Sequence, residues 1–381
     1  MYKAYKFRLY PNGEQIVLIN KTFGSVRYTY NYYLDKMKNN TYVTPYNNIK
    51  DYEYNLKYEA TFLQEIDSTI IKKSIYKLDD AYKRMFNDQG GYPKFKSKYG
   101  RNSYTIPAVY GKYKGIEQCN IELNLQTRQL KLPNLNLVKI RGYKNTDNIN
   151  GKLKNVTISK EPNGKYYVSV LYEMPDIKLI ARPRTIVGID IGIKKLLTLS
   201  DGTTIDNIHT QEKYQKRIKR KQRELSRKIK GSTNYYKCKK ELAILYSKLA
   251  NSRKYYIHKI TKSITDEYDI ITCEKLTTKE MIIKGKEKKL STKINDATFT
   301  EIIRQLSYKA KFKGKRFYQI NTYYPSSQIC SRCDNQDNKY KNLNEREYIC
   351  TKCGMELDRD FNASINIMFE GLKLYMKNYA K

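Results

Sequence analysis

Apolar and polar positions alternate over the first ten residues, with Tyr5, Phe7 and Leu9 set against Lys6 and Arg8. That period of two predicts a half-buried strand, ended by Pro11. From Glu14 the spacing changes: Ile16, Ile19, Phe23, Val26 and Tyr30 recur at three and four, and Ile71, Ile75, Leu78, Tyr82 and Met85 repeat the pattern. Residues 11–115 are therefore expected to be mainly helical, closing in a basic loop from Pro93 to Lys98. Period two returns over residues 119–175, where VTISK and KYYVSVLYE flank Glu161-Pro162-Asn163-Gly164, a turn with Pro and Gly placed for a hairpin. These strands predict a small β-barrel that also recruits the N-terminal strand, and Ile180 to Arg184 reads as a linker.

The second half opens with IVGIDIGIKKLLTLSDG: an apolar strand running into Asp190, a second strand, and a hairpin turn at Asp201-Gly202. Residues 211–265 predict a long helical hairpin broken near Gly231-Ser232, with Leu242, Leu249, Tyr256, Ile260 and Ile264 as its buried stripe. DIITCE is a short apolar strand ending on Glu274.

Charge adds what the pattern lacks. Among 381 residues, 74 Lys and Arg stand against 38 Asp and Glu, a formal excess of +36. Such a chain repels itself in isolation, which implies a polyanionic partner, most simply nucleic acid. AT-rich codon usage accounts for part of the 38 Tyr but not for the charge. Between 211 and 262 there are 18 Lys or Arg and three acids. Arg217, Arg220, Arg223, Arg227 and Arg253 on that hairpin, with Lys94, Lys96 and Lys98 of the basic loop, are candidate nucleic-acid contacts; a solvated charged face is the plainer alternative. The Tyr-rich run YTYNYY (28–33) suits base stacking, but core packing explains most of it better. No run of about 18 apolar residues is present, the N-terminus lacks the apolar core of a secretory signal, and the cysteine pattern fits a reducing cytoplasm.

Four of seven cysteines form two C-x-x-C pairs, Cys330/Cys333 and Cys350/Cys353, at the spacing of a structural zinc ribbon. Four thiolates complete a tetrahedral ion and leave no position for a reactive water, so this zinc is structural. Neither His209 nor His258 lies nearby in sequence.

Three acids occupy positions that phosphodiester chemistry would choose. Asp190 lies in a strand between Gly188 and Gly192, small residues that leave room for a phosphate backbone. Glu274 ends an apolar strand. Asp360 opens a helix whose apolar face is expected to be Phe361, Ile365, Met368 and Leu372; Asp358 is its rival, since the helix start DRD offers both. Each has an ordinary reading: a backbone acceptor, an exposed strand end, an N-cap. In the order strand–Asp, strand–Glu, helix–Asp, however, they match a ribonuclease-H-like nuclease core. Two Mg²⁺ ions about 3.5–4 Å apart in such a core activate a water and stabilise the leaving oxygen, held by a few carboxylates.

Taken together, GIDIG (188–192), CEKL (273–276), CSRC (330–333), CTKCG (350–354) and DRDFNASINI (358–367) resemble the TnpB family, transposon-encoded RNA-guided nucleases and compact relatives of type V CRISPR effectors. KFRLYP (6–11), FGSVRYTYN (23–31) and PKFKSKYG (93–100) are similar to family segments too. The resemblance implies an α+β multidomain chain. Its parts would be a β-barrel wedge domain (1–10 and 116–182), a helical recognition domain (11–115), a RuvC-like nuclease domain (183–325 and 358–381) and an inserted zinc ribbon (326–357). It places the catalytic, Mg²⁺-holding acids on Asp190, Glu274 and Asp360, choosing the second Asp of DRD, and the zinc ligands on Cys330, Cys333, Cys350 and Cys353. It further implies a guide RNA from the element end, target DNA cut beside a short motif, and a location with the nucleoid. A cleavage-inactive RNA-guided repressor and an accessory transposition protein are the alternatives; the complete acid triad favours the nuclease. Asp334, where Gly is common, and Ser364, where a second Ala is common, depart from the family pattern.

Overall fold

The computed structural model describes residues 1–39, 42–113, 116–142, 149–207, 210–276, 298–342 and 345–379. They divide into two compact units, Met1–Asp176 and Ile177–Lys381.

The first unit begins with β1 (Tyr2–Tyr10) and α1 (Gly13–Asn39), followed by α2 (Pro45–Asp51), short helical turns over 52–65, and α3 (Ser68–Phe86). The remaining elements are strands: β2 (Asn102–Pro107), β3 (Tyr110–Tyr113), β4 (Ile116–Cys119), β5 (Glu122–Asn124), β6 (Gln129–Leu132), β7 (Asn136–Arg141), β8 (Lys152–Lys160) and β9 (Tyr166–Glu173). Six of them join β1 in one seven-stranded antiparallel sheet in the order β2-β8-β9-β1-β7-β6-β5, with β3 and β4 paired separately. The N-terminal strand is thus recruited as its alternation implies, with Phe7 opposite Val168 and Leu9 opposite Ile140. Their common face is buried with Ile158, Val170 and Tyr104 in one core, against which Phe23, Tyr30, Tyr33, Ile71 and Leu78 of the helices also pack.

Two expectations change here. Helix ends at Phe86 rather than continuing toward 115: Gly90, Gly91 and Pro93 stop it, and the alternating NSYTIP joins the sheet as β2 against β8. Among the described residues the edge strands β2 and β5 do not pair with each other, so the described ladder is an open sheet, not a closed barrel.

The second unit contains β10 (Ile186–Ile191), β11 (Lys195–Leu199), β12 (Thr204–Asp206), α4 (Thr210–Ser226), α5 (Thr233–Glu267), β13 (Ile270–Glu274), α6 (Phe299–Lys311), β14 (Arg316–Ile320), β15 (Glu347–Ile349), β16 (Glu356–Asp358) and α7 (Arg359–Tyr379). A mixed sheet runs β12-β11-β10-β13-β14; β11 is antiparallel to β10, while β10, β13 and β14 are parallel. The central strands are apolar in nearly every position because helices cover them. The break between α4 and α5 falls where Gly231 takes φ +90° and Ser232 caps α5 through Tyr235 N–H. The segment read as a linker is pinned within this unit: Ile180 N–H donates to Gly314 O, and Arg316 returns a bond to Ile180 O.

Helix α7 lies directly on the sheet. A Cβ on Gly188 would fall 2.1 Å from Ser364 O and 2.5 Å from Met368 N, and one on Gly371 would fall 2.0 Å from Thr272 Cγ2. The bare Cα of Gly188 therefore admits a helix, not the phosphate backbone that its place beside Asp190 suggests. Gly192 answers to a tight turn, its hypothetical Cβ lying 2.8 Å from Lys195 O. The buried face of α7 is also not the expected one: Ala363, Ile367 and Gly371 are buried, with Asn362, Ser364 and Asn366, while Phe361, Ile365, Met368 and Leu372 are partly exposed. Gly188→Ala is expected to lift α7 off the sheet at a cost on the order of 3 kcal/mol, lowering the melting temperature by roughly 5–10 °C. An unchanged thermal transition would show the helix to be mobile at this contact.

Candidate active site

Asp190 stands near the C-terminal end of β10, and Glu274 closes β13 in the adjacent parallel strand. The register pairs Ile189 with Cys273, so both acids lie one residue beyond the same rung. Ligand sites of open α/β sheets form at this carboxyl end. The N-terminus of α7 brings the third acid, Asp360, to the same place. The three interact: burial first, then the charges of Glu274 and Asp360, push the Asp190 carboxyl up to about 8, against the opposing Arg359 guanidinium and the Ile191 N–H. Burial also raises Glu274, against a hydrogen bond that its Oε1 accepts from Ser326 Oγ at 2.5 Å. A buried carboxylate acted on by two others carries an electrostatic penalty, and a cation relieves it. Their oxygens do not all come within 4.8 Å of one another, a spacing that among the described residues belongs to the cysteine cluster.

The two acids of DRD differ in their local hydrogen bonding. Asp358 Oδ1 accepts the N–H groups of Asp360 (3.0 Å) and Phe361 (3.1 Å), and its other oxygen lies 3.7 Å from Lys195 Nζ. Asp358 thus performs the capping role of the helix start. Asp360 is one of the charges acting on Asp190, and it lies 3.5 Å from Arg346 Nη1.

The ribbon cysteines converge as their spacing implies. Cys330 and Cys353 sulfurs are 3.6 Å apart, as are those of Cys333 and Cys350, and all four lie within 4.8 Å. A tetrahedron with bonds of about 2.3 Å has sulfur–sulfur edges of about 3.8 Å, so the set fits zinc closely. Burial works against ionising Cys350, yet the N–H groups of Cys353 and Lys352 and the neighbouring thiols bring it down to about 6. Both knuckles close on a left-handed residue, Asp334 (φ +57°) and Gly354 (φ +66°). Asp334, the departure noted in the sequence, therefore occupies a position that Asp tolerates better than most residues.

Side chains that no motif reading singled out tie the ribbon to the acids. From α7, Asn366 donates to Ser326 O (2.8 Å) and Ile329 O (2.6 Å), and Asn362 donates to Ile329 O (2.7 Å) while accepting Ser331 N–H (3.0 Å). Arg359 N–H bonds Arg346 O, and its guanidinium reaches Asn342 O and Glu345 O. An unbroken path thus runs from Glu274 through Ser326 and Asn366 to Ile329, next to Cys330. The available signal was two asparagines four residues apart on an otherwise well-packed helix, since buried amides demand partners.

The charged candidates lie where their helices put them. Lys94, Lys98, Arg217, Arg220, Arg223 and Arg227 are exposed, whereas Lys96 and Arg253 are half-buried. Lys216, Lys219, Arg220, Arg223 and Arg227 line a groove of about 790 Å³ along α4. Tyr30 and Tyr33 of the Tyr-rich run are core residues, while Tyr28 is exposed. His209 lies outside the described residues, and among those described no helix is long and apolar enough to cross a membrane.

Comparison with known proteins supplies the family. A family model described as a probable transposase matches residues 169–284, a Cas12f1-like TNB domain matches 299–367, and a helix-turn-helix domain matches 1–43. Within that last stretch the described residues include β1 and the helix α1. The solved Cas12f1–sgRNA–target DNA complex shares the fold with a TM-score of 0.59 at 15% identity, covering 97% of this chain and 98% of that one. The fold is accordingly that of the Cas12f1 chain. A Streptomyces pristinaespiralis protein named as a candidate RNA-guided DNA endonuclease is 31% identical over 382 residues, covering 97% of this chain and 89% of that protein. Escherichia coli InsQ, named likewise, is 29% identical over 389 residues, with 97% and 92% covered. The mimivirus TnpB-like protein L79 is 24% identical over 236 residues, with 59% and 44% covered. The chain belongs to the TnpB family of RNA-guided DNA endonucleases.

Proposed function

We propose that this protein is an RNA-guided endonuclease of a mobile element that cuts double-stranded DNA beside a short motif, hydrolysing phosphodiesters with Mg²⁺ held by Asp190, Glu274 and Asp360. The observation that carries this reading is the convergence of three acids from β10, β13 and α7, with the helix-capping role taken by a fourth, Asp358. Bound divalent ions supply a polarised water and charge for the leaving oxygen. The chain's own part is to hold the carboxylates in a desolvated pocket, to orient Glu274 through Ser326, and to set the Arg346 guanidinium where a phosphate oxygen would come. The ribbon, with one structural zinc, braces this arrangement. The sheet and the helices α1–α3 of the first unit would hold the guide and open the duplex, while the basic faces of α4 and the 93–98 loop would follow the RNA and the heteroduplex. Sequence choice then falls to base pairing.

The protein is tested as recovered from cells with its RNA, which is sequenced and used to design a plasmid target. Asp360→Ala is expected to reduce cutting in Mg²⁺ by about 10³-fold or more, the weight of several kcal/mol of charge stabilisation. Asp358→Ala removes only a cap, roughly 1 kcal/mol of stability, and leaves cutting within a few fold. The reverse ranking would move the third acid to Asp358. Target binding without any cutting by the unaltered complex would establish the repressor instead.

A further inference from the structure

The first unit holds two half-buried lysines whose ammoniums meet a ring and a hydroxyl rather than a carboxylate. Lys96 is fixed by its backbone: its N–H donates to Asn31 Oδ1 (2.8 Å), and its carbonyl accepts from Asn31 Nδ2 (3.0 Å). Its ammonium sits 3.4 Å over the Tyr30 ring. Lys77, from α3, donates to Thr105 Oγ1 (2.7 Å) on β2, and that hydroxyl is shared with Thr157 (2.9 Å). Both lysines are half-buried, and among the described residues neither has a carboxylate within 4.0 Å. Asp79 nearby is engaged by Lys83 at 2.8 Å, and Asp80 acts on Lys77 only from farther off.

Lys77 also acts on Lys96. Burial and then Lys77 bring Lys96 down to about 7, while burial followed by Lys73 and Arg101 brings Lys77 down to about 8. Folding has placed basic groups near one another, partly out of water, and among the described residues no carboxylate lies within 4.0 Å of either lysine. Such an arrangement lowers stability unless an anion completes it.

We propose that Lys77 and Lys96, with Lys73, Arg101 and the Thr105 hydroxyl around them, form a built site for a backbone phosphate of a nucleic-acid strand. The surroundings favour a polymer over a free anion. On the same loop Lys94, Phe95, Lys98 and Tyr99 are exposed, Tyr99 to 80%, and Lys38 lies 4.4 Å over the Phe95 ring. Alternating cations and aromatic faces suit a sugar-phosphate chain and its bases. The site grips without reading sequence, as phosphate contacts do. It rests on the nucleic-acid-binding reading above and gives it a defined contact.

The full chain is titrated with a fluorescent 20-nucleotide mixed-sequence RNA and, separately, a fluorescent 30-base-pair DNA duplex, each across a range of KCl. Lys77→Met and Lys96→Met keep the methylene packing and remove the charge. Each is expected to flatten the dependence of log affinity on log salt by about 0.7 on the single strand or about 0.9 on the duplex, with Lys96→Arg restoring it. Loss in the RNA arm alone assigns the site to guide-type backbone, and loss in the duplex arm alone assigns it to DNA. As a check independent of folding, acylation of unaltered protein should show Lys77 and Lys96 shielded once the probe is bound. Unchanged slopes in both arms, with both lysines equally reactive with and without probe, overturn the site while leaving the broader reading intact. Failure of the unaltered chain to bind either probe overturns both.

Discussion

Asp190→Asn is expected to abolish DNA cutting and, at the same time, to raise the melting temperature of the metal-free protein at pH 8. Both effects come from one cause. In the folded chain burial and two neighbouring acids hold the Asp190 carboxyl at about 8, against an ordinary value of 3.8. A raised acid binds its proton more tightly folded than unfolded, so folding suffers an ionisation penalty that begins above the ordinary value and is complete above about 8. Asparagine carries no such charge and escapes the penalty, a few kcal/mol after relaxation and counter-ion uptake. The predicted gain is roughly 5–10 °C at pH 8, shrinking toward zero as the pH falls to about 4. Mg²⁺ should stabilise the unaltered protein and leave the variant nearly where it was, because the ion binds only where ionised ligands await it. Calorimetry at three pH values, with and without Mg²⁺, checks all of this beside a cleavage assay. Equal cutting by the variant would remove Asp190 from the site, and identical melting at pH 8 would deny the electrostatic strain.

Stripping zinc, by strong chelation or by Cys350→Ser, is expected to disable cutting although the zinc touches no substrate. Binding free energies of structural zinc are about 10–16 kcal/mol in isolated finger peptides, so a ribbon of this size does not keep its fold without the ion. The ribbon's own core is small, chiefly Tyr340 and Tyr348 with ring centroids 4.2 Å apart. Its collapse would release Ile329 and Ser331 from Asn362 and Asn366, then Ser326 from Glu274, and would free Arg346 from Asp360. A loss of about 100-fold or more is expected, the upper range for supporting contacts at metal sites. Limited proteolysis should cut first within 326–357 while the sheet of the first unit stays resistant. Full activity in protein shown to contain no zinc would dissociate ribbon from acids.

Much of this was legible in order along the chain. Periodicity marked β1, α1, α3, β8, β9, β10 and β13 because one face of each meets a core, and burial imposes its period on the residues. The four cysteines were legible because tetrahedral thiolate coordination needs two short, rigid turns and little else. Asp190 and Glu274 were legible as acids ending apolar strands. The failures share a different cause. NSYTIP went unseen as a strand because six residues after a glycine- and proline-rich loop carry too short a pattern to outweigh the helices before them. Gly188 was misread because a bare Cα is equally suited to a phosphate and to a helix backbone.

What the linear order determined by itself was therefore the local: which segments are strand or helix, which thiols can share an ion, and that so cationic a chain needs a polyanion. What only the folded arrangement decided was adjacency across distance. It assigned the cap to Asp358, brought the charge of Asp360 to bear on Asp190, put α7 against Gly188 and Gly371, linked Asn366 and Ser326 to Glu274, and set Lys77 where it acts on Lys96. Propensity and period act over a few residues, whereas hydrogen bonds, desolvation and charge act through space between segments that the sequence keeps far apart.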